Sequence, residues 1–111
     1  MLDFRVSEVD NVTLVEVSGR VDSMNAGELG EALSEQLSRG STQIVLDLAK
    51  VSYMSSAGLR ELVTAYRKLQ DASGDLRLAR PSSRVMDVLE MSGLDTIFQI
   101  FPTQVDAVSS F

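Results

Sequence analysis

The chain has 111 residues, 44% of them hydrophobic and 23% charged, an ordinary balance for one globular domain with a core of its own. It contains no cysteine and no histidine, which removes disulfides, thiolate nucleophiles, the usual zinc ligands and the commonest general base near neutral pH, so a Ser-His-Asp hydrolase is excluded. With 16 acidic against 10 basic residues the net charge is −6; a nucleic-acid backbone is repelled on average, and a basic or mixed-charge protein surface is the better-matched partner.

In chain order, Phe4 and Val6 alternate with polar neighbours and predict a first strand near residues 3–8. Asp10-Asn11 is a turn signal, and "VTLVEVSG" beyond it predicts a second strand, which makes a hairpin. In "VDSMNAGELGEALSEQLSRG", Leu29, Leu33 and Leu37 recur at helical spacing with Ala26 and Ala32 beside them, predicting a helix with one apolar face. Asn25 and Glu28 have capping-box spacing at its start, Gly40 suits its end, and Glu28, Glu31 and Glu35 fall on the solvated side. "TQIVLDLAKV" puts Ile44, Leu46 and Leu48 on one face and Val45 and Ala49 on the other, the mark of a central parallel strand covered on both sides.

This strand hands over near Ser52-Tyr53 to a second amphipathic helix, with Leu59, Leu62, Val63, Tyr66 and Leu69 inward and its end near Ser73-Gly74; Arg60, Arg67 and Lys68 make its wet face. "DLRLA" predicts a short strand. Pro81-Ser82-Ser83 opens a third helix with Val85, Met86 and Leu89 inward and Gly93 as its cap. "TIFQIF" predicts a last strand, and Pro102-Thr103 starts a short final helix through Val105 and Val108. Met54, Met86 and Met91 read as core or edge fillers.

The order β-β-α-β-α-β-α-β-α predicts an α/β fold: a mostly parallel central sheet with an N-terminal β-hairpin, right-handed crossovers and about four covering helices. No linker, internal repeat or low-complexity segment divides it, so residues 1–111 are read as a single domain. No apolar run approaches the roughly 18–20 residues of a membrane span, and "MLDFRVSEVD" has no signal-peptide core, so a soluble cytoplasmic protein is expected.

Chemistry is sparse. "MSSAGLRE" has one glycine and no lysine, so it is not a phosphate-cradling loop, and no cofactor is implied. Asp22 and Asp47, near expected strand ends, are carboxylates of the kind that hold a hard cation, but lone ones there read first as turn or cap residues, and no metal site is expected. Within "LAKVSYMSSAGLREL", Ser55 or Ser56 falls at the strand-to-helix corner. Either serine can serve there as an N-cap. Either can instead be displayed beside a helix N-terminus, a position whose N–H groups and dipole favour a phosphate.

"VSYMSSAGLREL" resembles the phosphorylation segment of STAS domains of the anti-sigma factor antagonist type: an aromatic or apolar residue, Met, Asp, Ser, a small residue, Gly, Leu. Tyr53 and Met54 fit, Ser56 falls on the phosphorylatable serine, Ala57 on the variable small residue, and Gly58 and Leu59 on the helix start. "SGRVD" is similar to the family's Gly-x-hydrophobic-Asp after the second strand and puts Asp22 on its acidic residue; "SSRVMDVLEMSGLDTIFQIF" resembles the third helix, the Ser-Gly-Leu corner and the last strand. The resemblance runs through nearly the whole chain in order. It implies a STAS-type fold and a regulatory ligand with no catalysis of its own. Its partners would be an anti-sigma factor that is also an ATP-dependent serine kinase, and a metal-dependent serine phosphatase that restores the binding form. Ser56 would be the phosphoacceptor, with Asp22, Ser55, Ala57, Gly58 and Leu59 on the partner-facing edge. One departure stands out: where the family pattern usually carries Asp, this chain has Ser55, which removes a fixed negative charge beside Ser56 and adds a second hydroxyl. A STAS scaffold that binds in a non-sigma pathway without phosphorylation is the alternative.

Overall fold

The structure, a computed structural model, describes residues 1–111. Strands β1 (Asp3–Val9) and β2 (Val12–Val21) form an antiparallel hairpin. Its two-residue turn places Asp10 and Asn11 at φ +52° and +68°, left-handed values that Asp and Asn tolerate and that match the twist of the paired strands. Helix α1 (Ala26–Ser38), strand β3 (Gln43–Met54), helix α2 (Ser56–Asp71), strand β4 (Asp75–Ala79), helix α3 (Ser83–Met91), strand β5 (Ile100–Phe101) and helix α4 (Gln104–Ser109) follow. The sheet order is β1-β2-β3-β4-β5, with β2 to β5 parallel. The expected α/β architecture of hairpin, parallel sheet and four helices is therefore the observed one.

The pleat divides the core in two. Val15, Val17, Ile44, Leu46 and Leu48 face α1, α2 and α3 in a cluster of 21 buried residues. Val12, Leu14, Val45 and Ala79 point the other way, and only six buried residues collect there, under Ala107 and Val108 of α4. One face is sealed by three helices; the other is covered only where the short α4 lies. β1 is an edge strand, and Val6 stays 46% exposed despite its apolar alternation.

Several local expectations are corrected. Asn25 sits at the N-cap of α1 but its side chain caps nothing there, and Glu28 instead accepts the Leu2 N–H at 3.1 Å, so no capping box forms. Of "TIFQIF" only Ile100 and Phe101 pair with β4. Leu94–Thr96 form a 3₁₀ turn, and Phe98 turns into the main core, edge-on to Tyr66 with ring centroids 5.1 Å apart. Burying that aromatic ring competes with extending the ladder and wins. Ala49 does not share a buried face with Val45; it is exposed, and Asp47 holds the buried position between them. Met54 is core, but Met91 is 88% exposed at the end of α3 and fills nothing. The capping of α3 and α4 is as expected: Ser82 Oγ accepts the Val85 N–H, and Thr103 Oγ1 accepts the Asp106 N–H.

Candidate functional site

Strand β3 runs twelve residues, past the expected handover, so the corner of interest begins at Ser55. At that end Val21 of β2 lies opposite Met54 of β3, and the Ser55 N–H donates to the Val21 carbonyl at 2.9 Å. Two parallel strands thus finish side by side, and Asp22 and Ser55 leave the sheet as neighbours. Such carboxyl ends of parallel strands are where α/β folds gather functional residues.

Ser55 takes the N-cap position of α2 with extended backbone, and its carbonyl accepts the Leu59 N–H at 3.1 Å. Its side chain does not cap. The Oγ is sealed from solvent and has no hydrogen-bond partner. Ser56 is the first helical residue and is exposed. The first turn of α2 carries no acidic residue, so its free N–H groups and the positive end of its dipole are uncompensated.

Gly58 is buried one turn in. A Cβ there would lie 2.7 Å from both Met54 Cγ and Val21 Cγ1, so the helix start can press onto the two strand ends only with glycine at this position. Leu59 is buried in the main core and Ala57 is half-buried against it. Of the residues singled out from the sequence, Asp22, Ser55, Ser56 and Ala57 come together at the corner. Gly58 and Leu59 lie beneath it and set its shape.

Asp22 is tied into its own loop. Its Oδ1 accepts the Met24 N–H at 2.9 Å and the Asn25 N–H at 3.2 Å. Asn25, 8% exposed, answers by accepting the Asp22 N–H at 2.9 Å and donating from Nδ2 to the Arg20 carbonyl at 2.8 Å. The result is a braced turn whose apex, Met24, is 92% exposed. On the opposite side of β2, the Arg20 guanidinium lies 4.1 Å from the Tyr53 ring centroid. Neither Met24 nor Arg20 drew attention in the sequence, where the available signal was an apolar residue inside the polar loop "DSMN".

Asp47 is not with Asp22 at a strand end. It sits in mid-β3, opposite Glu16, and is 2% exposed. Its Oδ1 accepts the Ala49 N–H at 2.9 Å, and its Oδ2 accepts Arg80 Nε at 3.0 Å, Arg80 Nη2 at 2.6 Å and Gln104 Nε2. Burial pushes the Asp47 carboxyl up, but the hydrogen bonds from Arg80, Ala49 and Gln104 outweigh it and hold the group below the usual carboxylate range. Arg80 is kept at a left-handed φ of +54°, with its N–H on the Phe101 carbonyl at 2.9 Å. This network fastens α4 and the turn before α3 to the middle of the sheet.

Residues 3–107 match the STAS domain family model. The chain belongs to the STAS domain family. The STAS fold carries the hairpin, the parallel sheet and the strand-end corner described above. BtrV of Bordetella bronchiseptica, which bears an anti-sigma factor antagonist name, is 32% identical over 106 residues, covering 96% of this chain and 91% of that one. The anti-sigma-B factor antagonist of Listeria monocytogenes is 29% identical over 99 residues, covering 89% and 86%. The crystal structure of an anti-sigma factor antagonist from Mycobacterium paratuberculosis superposes with a TM-score of 0.90 at 28% identity, over 99% of this chain and 93% of that one. No helix of this STAS domain is long and apolar enough to cross a membrane.

Proposed function

We propose that this STAS domain is an anti-sigma factor antagonist: a binding protein that captures an anti-sigma factor through the corner formed by Asp22, Ser55, Ser56 and Ala57. The partner would also be a serine kinase, Ser56 its phosphoacceptor, and a metal-dependent serine phosphatase the enzyme that restores the binding form. The names of its relatives support the antagonist reading. The observation that carries the switch is the exposed Ser56 at the first position of α2, on a helix end without an acidic residue.

The physical consequence of phosphorylation follows from that position. A phosphate adds about −1.5 to −2 charge at pH 7. The N–H groups and dipole of α2 accommodate it, so the fold has no reason to change. What changes is the surface, which gains charge beside Asp22 and a strong hydration shell. A partner that docks flat on the corner must then strip water from a dianion or withdraw.

A second reading is a STAS module that binds without a phosphate cycle. It is favoured by Ser55, which places no charge next to Ser56 for a kinase to recognise. One experiment separates the two. The protein is incubated with the anti-sigma factor kinase and ATP, and phosphate is mapped by mass spectrometry. The switch requires phosphate on Ser56, its loss in Ser56→Ala, and release of the partner by Ser56→Asp. Phosphate absent from Ser56, with Ser56→Asp still binding, leaves the constitutive module.

A further inference from the structure

Protein interfaces concentrate their energy in a few Met, Tyr, Trp and Arg side chains that are held in place before the partner arrives. Three side chains of those types lie close in sequence to the Asp22–Ser55 corner. Met24 lies two residues beyond Asp22, Arg20 two before it, and Tyr53 two before Ser55.

Met24 is the clearest anomaly. A lone exposed apolar residue on a loose loop needs no explanation. Here four hydrogen bonds among Arg20, Asp22, Met24 and Asn25 brace the loop, and the buried Asn25 side chain fills its inside. The chain therefore builds a rigid pedestal and stands an almost fully exposed thioether on it. Met91, 88% exposed, has no comparable support: it ends α3.

Arg20 and Tyr53 are opposite one another in the β2–β3 register, on the sheet face that α4 covers elsewhere, over Val12, Leu14, Val45 and Ala79. The cation–π contact at 4.1 Å favours one placement of the exposed Arg20 side chain over Tyr53, and the planar guanidinium there offers N–H groups that match a carboxylate. An apolar knob on a braced backbone and a cation held over an aromatic ring thus lie on either side of the end of β2.

We propose that Met24 and the stacked Arg20–Tyr53 pair are the anchors of the partner interface, and that they fit a protein surface offering an apolar pocket for Met24 and an acidic side chain for Arg20. The proposal rests on the reading of the Ser55–Ser56 corner as the docking site and adds the residues that supply its affinity. Phosphate on Ser56 would then act on an interface whose grip lies to either side of it.

The test uses the intact chain and the purified anti-sigma factor kinase on a biosensor, with thermal melts of every variant. Met24→Ala should weaken binding about tenfold or more, mainly through faster dissociation, and Met24→Leu should bind within about threefold of wild type. Arg20→Ala should lose about tenfold, and Arg20→Lys should fail to recover it because an ammonium makes no planar fork. Met91→Ala should bind as wild type, and no melt should move beyond the small shift typical of surface substitutions. If Met24→Ala and Arg20→Ala bind within about twofold of wild type while Ser56→Asp releases the kinase, the anchors are wrong and the switch stands. Equal losses in Met24→Ala and Met91→Ala also overturn the proposal. So does a self-associated chain that Met24→Ala dissociates with kinase binding unchanged. A wild-type chain that does not bind the kinase at all overturns this inference together with the proposed function.

Discussion

Strand β3 and the residue that follows it hold two polar groups sealed from water, and the chain treats them in opposite ways. Asp47, in mid-strand, receives hydrogen bonds from Ala49, Arg80 and Gln104. Ser55, the first residue past the strand, has an equally enclosed Oγ that receives and gives none. Buried polar groups are nearly always paired, because stripping one of water without replacement costs about 1–3 kcal/mol. Asp47 obeys that rule through its near neighbour Ala49 and through Arg80 and Gln104, distant in the chain, and it acts as a brace between the sheet, the turn before α3 and α4. Ser55 breaks it at the one corner where the chain also displays Ser56 and Met24. Such unpaired buried groups are few in native folds. Brace and corner thus differ in how completely their polar atoms are satisfied.

The largest expected effect lies at the brace. Asp47→Ala removes an acceptor that takes four hydrogen bonds from three residues and should cost about 3 kcal/mol, less than a fully buried pair because the Arg80 side chain is 41% exposed. Urea unfolding followed by circular dichroism measures it. A loss below about 1 kcal/mol would make Asp47 no more than a surface pair and erase the contrast with Ser55.

Acid should expose the same brace from a different side. The folded Asp47 carboxyl is held below its unfolded value of about 3.9, so on acidification the unfolded chain takes up the proton first. Its contribution is complete above the unfolded value and is lost as pH falls through the folded one. Urea midpoints between pH 7 and pH 3 should therefore fall less steeply on the acid side for Asp47→Asn than for the wild type, with parallel behaviour at neutral pH. Identical acid slopes would mean that the carboxylate is not preferentially charged in the fold.

The smallest effect is expected at Ser55, and its sign carries the information. Ser55→Ala removes an unpaired hydroxyl and should leave stability unchanged or raise it by about 0.5–1 kcal/mol. Were the Oγ capping α2 in solution, the same change would cost about 1 kcal/mol. A lowered melting temperature of that size would close the gap between Ser55 and Asp47.

Periodicity made most of the fold legible, because it depends only on near neighbours. Leu29 and Leu33, or Ile44, Leu46 and Leu48, declare their faces wherever the chain goes. The Asp10-Asn11 turn is equally local. The serine corner was legible too, since Ser55 to Leu59 are contiguous and the glycine among them is demanded by close packing. The rest was hidden in long-range partners. Asp47 looks like a strand-end carboxylate until Arg80 and Gln104, 33 and 57 residues away, are brought to it. Asn25 and Glu28 have the spacing of a cap, yet their bonds go to Asp22, Arg20 and Leu2. Phe98 reads as strand and becomes core because Tyr66 is waiting for its ring.

By itself the sequence determined the order of elements, the hairpin and the place of the serines through patterns within a turn or two of the chain, and the parallel character of the sheet through the alternation of strands and helices. Only the tertiary structure decided which polar groups are satisfied and which are displayed. Ser55 and Ser56 are adjacent and chemically identical, yet one hydroxyl is enclosed and the other residue faces solvent at the corner where Gly58 packs against Val21 and Met54. Burial is a property of what surrounds a residue, and those surroundings come together only when β2, β3 and α2 meet.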